Sequence, residues 1–303
     1  MPPEIKQDLA RARRLEWSTL AAMSTVLVVM FMAAGSSQAM RTAWFEDILS
    51  LVPALVFLIA AKLEGRRPSR AFPYGFHRVQ SLAFLISAVA LSSVGAFLLL
   101  ESASTLIKGE HVTIPPVTLF GQTLWFGWLM VAALVYSVIP PLILGRLKLP
   151  VARRLQDKVL HTDALMQKAD WMTGLAGIGG VLGVGLGLWW ADAAASMFIA
   201  ASIVHDGVNA LRSSTAELID GAPRKLDKDE IDPEAEELRR RLAERYPNAQ
   251  IRLRETGRFF NAQVRGVLPE NQVDLDALWP VGEDRPWRLA QVSFVPPGAD
   301  KES

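Results

Sequence analysis

The sequence predicts a membrane all-α domain of six transmembrane helices followed by a small cytoplasmic α+β domain, ferredoxin-like in the order αββαβ. Three observations predict it. Half of the 303 residues are hydrophobic, and they gather in runs of the roughly 20 residues that a bilayer core demands. Charge is sparse and loop-bound before Gly221 and dense after it, which divides the chain into a six-span membrane domain, 1–220, and a soluble C-terminal domain, 221–303. Basic residues fall in alternate loops, so every second loop is cytoplasmic.

The runs are about 17–35, 44–63, 80–107, 120–144, 161–190 and 191–212. Residues 1–16 carry Arg11, Arg13 and Arg14 but no small-residue cleavage site follows the first run, so they are not read as a signal peptide. Lys6, Arg11, Arg13 and Arg14 precede run one. Lys62, Arg66, Arg67, Arg70 and Arg78 lie between runs two and three. Arg146, Lys148, Arg153, Arg154 and Lys158 lie between four and five, and Arg224, Lys225 and Lys228 follow six. The intervening loops hold only Arg41 and Lys108. Both termini are therefore expected in the cytoplasm of a multi-pass integral membrane protein, in a bacterial inner membrane.

Pro140, Pro141 and Pro150 frame the end of run four, where the pair should kink or break a helix. Seven glycines between Gly174 and Gly187 suit close helix packing. The tail reads as a charged helix over 228–246, strands over 250–255 and 258–267 joined at Thr256-Gly257, a helical turn at 275–279 and a strand over 287–295.

Composition excludes several functions. The chain has no cysteine, so a disulfide framework, a zinc–thiolate site and a thiol nucleophile are all ruled out. A net charge of +1 gives no general attraction to nucleic acid. No enzymatic constellation and no prosthetic group is expected. The tail has neither His nor Cys, so it lacks the ligands of a regulatory zinc site.

Run five opens His161-Thr162-Asp163-Ala164-Leu165-Met166-Gln167-Lys168-Ala169-Asp170. Carboxylates inside a bilayer cost several kcal/mol, with estimates from about 2.5 upward. Asp163 and Asp170 stand two helical turns apart and share a face, with Met166 and Gln167 between them. Such a face calls for a cation partner. The structural alternative is that these acids neutralise Lys168 or nearby arginines. Run two holds Glu46 and Asp47, about 100° apart around a helix, with Ser50 one turn on. They border a cavity or, alternatively, sit at the outer interface. His205-Asp206 in run six reads as a polar pair, with Asp206 meeting Lys168, or as a proton relay. Asp192 reads as a helix N-terminal charge.

Arg67-Pro68 with Phe72-Pro73-Tyr74-Gly75-Phe76-His77-Arg78, the stretch Asp163–Asp170, and Ala191-Asp192-Ala193 are three motifs that together resemble those of the cation diffusion facilitator family. The resemblance implies a divalent cation held at four positions, Asp47 and Leu51 (or Glu46 and Ser50) of run two and Met166 and Asp170 of run five. The His or Asp usual at two of those positions is absent. Asp163 and Gln167 are supplementary candidates. The oxygen-rich set implies Mn²⁺, Fe²⁺, Co²⁺ or Mg²⁺ ahead of Zn²⁺. The resemblance further implies efflux by alternating access, protons as counter-ion, a homodimer, and a charge pair of Arg78 with Asp220 between protomers. The alternative is a non-transporting member that dimerises with or regulates another transporter.

Overall fold

A computed structural model describes residues 2–34, 44, 46–109, 116–119, 122–125, 127–185, 188, 190–268, 274–279 and 285–297. The first two-thirds is helical. Helix α1 is Pro3–Ala34; residues 46–50 are helical and lead into α2, Val52–Glu64; α3 is Arg78–Lys108; α4 is Gly127–Leu155; α5 is Lys158–Gly185; α6 is Ala191–Leu218. Among the described residues, α1 (as Pro3–Met32), α3 and α4 are long and apolar enough to cross a membrane. Helices α5 and α6 have 28 residues each but carry the acids discussed above. Large apolar side chains such as Met32, Leu100, Ile107 and Phe198 point outward and are mostly exposed. In water that face would aggregate; in lipid it is solvated.

Helix α5 is central, packing against α2, α3, α4 and α6. The tightest pairing is α3 with α6. A Cβ on Gly95 would lie 2.9 Å from the Val204 nitrogen, and one on Gly207 would lie 2.8 Å from the Ser92 Cα, so only glycine permits this approach.

Four expectations are corrected. Helix α4 is not broken by Pro140 and Pro141 but continues through Pro150 to Leu155. Arg146 and Lys148, expected in a loop, therefore lie within it, and Lys148 is fully buried. Run four was expected from residue 120, whereas the helix starts at Gly127 behind a hairpin of β1, Pro116–Leu119, and β2, Gln122–Trp125. The second run is interrupted at Leu51, just ahead of Pro53, which has no N–H to donate back up the helix.

The tail follows the expected order. Helix α7, Pro233–Arg245, opens with Asp232 accepting from the Glu234 N–H at 2.9 Å and with Pro at its first position. Ala235, Leu238 and Leu242 form its buried stripe. Strands β3, Gln250–Thr256, and β4, Phe259–Arg265, pair antiparallel, and β5, Leu289–Val295, pairs parallel to β4. The short helix α8, Leu275–Leu278, and a 3-10 turn at Pro286–Arg288 lie between β4 and β5. Alternation along β4 buries Phe260, Ala262 and Val264. The mixed three-stranded sheet and α7 enclose a core completed by Leu278, Trp279 and Leu289. Arg288 is buried there, bonded to Asp232 at 2.9 Å and to Glu234, with its guanidinium 4.0 Å from the Phe260 ring centre.

Candidate metal site

The helical residues 46–50 that lead into α2 carry Glu46 and Asp47, and α5, which packs against α2, carries Asp170. Glu46 and Asp170 are buried, as are Ser50, Met166 and Gln167, while Asp47 is partly buried. The charges of Asp47 and Glu46 act on Asp170, and the Ser50 side chain lies beside it. Ser50 Oγ donates to the Asp47 carbonyl at 2.9 Å. Glu46 Oε1, Asp47 Oδ2, both oxygens of Asp170 and both amide atoms of Gln167 are buried without a hydrogen-bond partner among the described residues. Buried polar atoms in folded proteins are nearly always paired, and each orphan costs about 1–3 kcal/mol or more. Among the described residues, these six atoms lie on residues 46–50 and on α5.

The arrangement brings Glu46, Asp47 and Ser50 to Asp170, and Met166 lies in an apolar cluster flanked by Leu49 and Val52, whereas Gln167 faces Gly145 of α4. Among the described residues, no three His, Cys, Asp or Glu side chains stand in a ready metal-ligating array. What the helices offer a cation is carboxylate oxygen, a hydroxyl, an amide and one thioether, a donor set suited to harder ions.

Asp163 is placed apart from these. Its carboxylate bonds to the Lys148 ammonium of α4, and Lys148 bonds at 2.9 Å to Glu16 of α1. All three side chains are fully buried. Asp163 thus has a cationic partner within the protein, and its second oxygen remains unpartnered. Sequence reasoning did not find Glu16 or Lys148 as a pair for Asp163. The signal was the apolar setting of Lys148, with Leu147 and Leu149 beside it, which suits a helix running on past Pro141.

Lys168 faces the other way, 3.7 Å from Asp206, as the polar-pair reading expected. His205 contacts Asn209 at 3.1 Å. Asp192 falls in the first turn of α6. His77 packs edge-on to Phe259 of the tail. His111 and Arg41 lie outside the described residues. Arg78 and Asp220 were expected to pair between protomers; they are bonded within the single chain, where Arg254 also reaches Asp220 at 3.1 Å. Asp220 ends α6 at a φ of +61°, a left-handed conformation that Asp tolerates, and this turns its carboxylate toward the two arginines.

The sequence profile of the cation efflux transmembrane domain matches residues 17–219. The chain belongs to the cation diffusion facilitator family. Among family members, it is 27% identical over 204 residues to a probable cation efflux system protein of Mycobacterium tuberculosis, found in two strains. That alignment covers 67% of this chain and 56% of the relative, so the chain spans little more than half the length of these relatives. It is 22% identical over 194 residues to an uncharacterized transporter of Methanocaldococcus jannaschii, covering 63% of each. The profile match contains all of the candidates on residues 46–50 and α5.

Proposed function

We propose that the protein moves a divalent metal cation out across the membrane in exchange for protons. The observation that carries this reading is the set of buried carboxylates on residues 46–50 and α5 that lack a hydrogen-bond partner among the described residues, in a chain of this family. Carboxylates held in a bilayer without a partner are costly, and a transported cation offsets that cost on each cycle. Binding to carboxylates requires them deprotonated, so cation loading releases protons and unloading takes them up. Asp170 with Asp47 or Glu46 are the central ligands; Ser50, Met166 and Gln167 supplement them. The oxygen donors favour Mn²⁺, Fe²⁺, Co²⁺ or Mg²⁺ over Zn²⁺.

The remaining organisation is proposed with it. Helices α1 to α6 make six spans with both termini in the cytoplasm, in a bacterial inner membrane, and residues 221–303 form the cytoplasmic domain through which a homodimer assembles. The loop charges and the helix order support this. A second reading has a specific observation behind it. Ser50 and Met166 stand where stronger ligands are usual, and the described residues hold no ready three-ligand array. A non-transporting member that regulates another transporter would tolerate that loss.

Metal-driven proton flux in proteoliposomes decides between them. Wild-type protein should acidify or alkalinise the lumen on addition of one of the four metals, and Asp170→Asn and Asp47→Asn should each reduce that flux to the level of empty liposomes. Normal flux in Asp170→Asn would move the site elsewhere. No flux with any metal in the wild type would favour the regulatory reading.

A further inference from the structure

The hairpin between β3 and β4 does not end in solvent. Its turn, Gly257-Arg258, is pressed into the ends of the membrane helices nearest the tail. A Cβ on Gly257 would lie 2.8 Å from Gln80 Cβ of α3, and Gly257 has a φ of +62°, so the position suits glycine on both counts. Its N–H donates to Glu217 of α6 at 2.9 Å. Lys158, the first residue of α5, bonds Glu217 at 3.4 Å and also Glu255 of β3.

Arg258 is the centre of this junction. It is 1% exposed. One nitrogen, Nη2, donates to Asp157 at 2.7 Å and lies 3.3 Å from Glu64. Glu64 is the last residue of α2, and Asp157 caps α5 by accepting the Leu160 N–H at 3.0 Å. Helix α2 follows directly on the helical residues 46–50 that carry Asp47, and α5 carries Asp170. Between their ends and those acids lies an apolar plug that includes Phe57, Ala60 and Ala61 of α2 and Val159 and Leu160 of α5.

We infer that Arg258 is a positioning residue through which the tail clamps together the tail-side ends of α2 and α5 and closes the tail-side route to the carboxylates. The ends cannot part without stripping a carboxylate from a buried guanidinium, an arrangement strongly disfavoured in a protein interior. Tail-side opening therefore requires the hairpin turn to withdraw, and anything that shifts the tail shifts the opening equilibrium. This rests on the transport reading above, but its test does not.

The chain has no cysteine, so a single Ala61→Cys substitution reports on the plug. A membrane-impermeant maleimide is applied to the full-length protein in lipid nanodiscs. Ala133→Cys, in the separate apolar cluster of α1 and α4, serves as control. Arg258→Met should accelerate labelling at Ala61→Cys by about tenfold or more while the control is unchanged. Arg258→Lys, which keeps the charge, should restore most of the protection. If Arg258→Met does not fold, the neutral set Glu64→Gln, Asp157→Asn and Arg258→Met removes the orphaned charges and should give the same acceleration. Unchanged labelling at Ala61→Cys, or equal acceleration at both sites, overturns the inference. Proton flux measured in parallel separates the two ideas: flux that survives Asp170→Asn refutes the transport site, whatever the labelling shows.

Discussion

Two aspartates on α5 stand two turns apart, both buried, and differ in one respect. Asp163 meets the Lys148 ammonium, which also holds Glu16; neither oxygen of Asp170 has a hydrogen-bond partner among the described residues. The first lies in a cluster closed by the protein's own cation. The second lies among further acids, Glu46 and Asp47, and no lysine or arginine is bonded to it among the described contacts. Burial alone is the same in both cases, so burial does not distinguish structure from function. What distinguishes them is whether the chain supplies the counter-charge. The tail junction repeats the first pattern, with Lys158, Arg258 and Arg288 each buried against carboxylates.

The comparison can be broken by exchanging the two effects. Asp170→Asn should reduce metal-driven flux to background yet leave thermal stability equal or higher, because it removes an uncompensated acid. Asp163→Asn should do the reverse, lowering the melting temperature in detergent while flux per folded molecule persists. Loss of flux at full stability in Asp163→Asn would join the two residues into one site.

Removing the cation is the next largest change. Lys148→Met leaves Glu16 and Asp163 buried without it, and should cost about 3–5 kcal/mol of stability. Adding Glu16→Gln and Asp163→Asn should recover most of that loss. If the triple variant melts no higher than Lys148→Met, the two carboxylates do not depend on Lys148 for their burial.

The tail junction sharpens the contrast through pH. Burial pushes the Glu255 carboxyl from its ordinary 4.5 up to about 7, against the pull of Lys158 and Arg288. A carboxyl raised in the folded state contributes stability that is full below its unfolded value and lost as pH rises through the folded one. The stability of wild type relative to Glu255→Gln should therefore fall between about pH 4.5 and pH 7, by on the order of 1–3 kcal/mol. A difference that is flat across that window would show that Glu255 stays ionised throughout.

The smallest effect belongs to the exposed pair. Arg78 and Asp220 are 49% and 47% exposed, so reversing either should cost about 0–1 kcal/mol. The double swap should restore the loss only in part, because Arg254 also reaches Asp220. Mixing protomers that carry the single reversals separates a bridge within the chain, as seen here, from one between chains: only an interprotomer bridge would be rescued in the mixed dimer.

The sequence by itself determined the apolar runs, the tail order αββαβ and the acids of runs two and five, because hydrophobic period and charge placement are local properties of the chain. Lys168 opposite Asp170 was also legible, since helical spacing fixes relative faces. The tertiary structure decided which buried charges are satisfied. Lys148 lies 15 residues from Asp163 and 132 from Glu16, and it became their partner only because α4 runs through three prolines and packs α1 on one side and α5 on the other. Arg258 reads in sequence as the first residue of an ordinary strand; docking of the hairpin against α2, α3, α5 and α6 is what buries it between Glu64 and Asp157. Pairing of distant charges depends on helix packing and on how far each helix extends, and neither is encoded in the residues that pair.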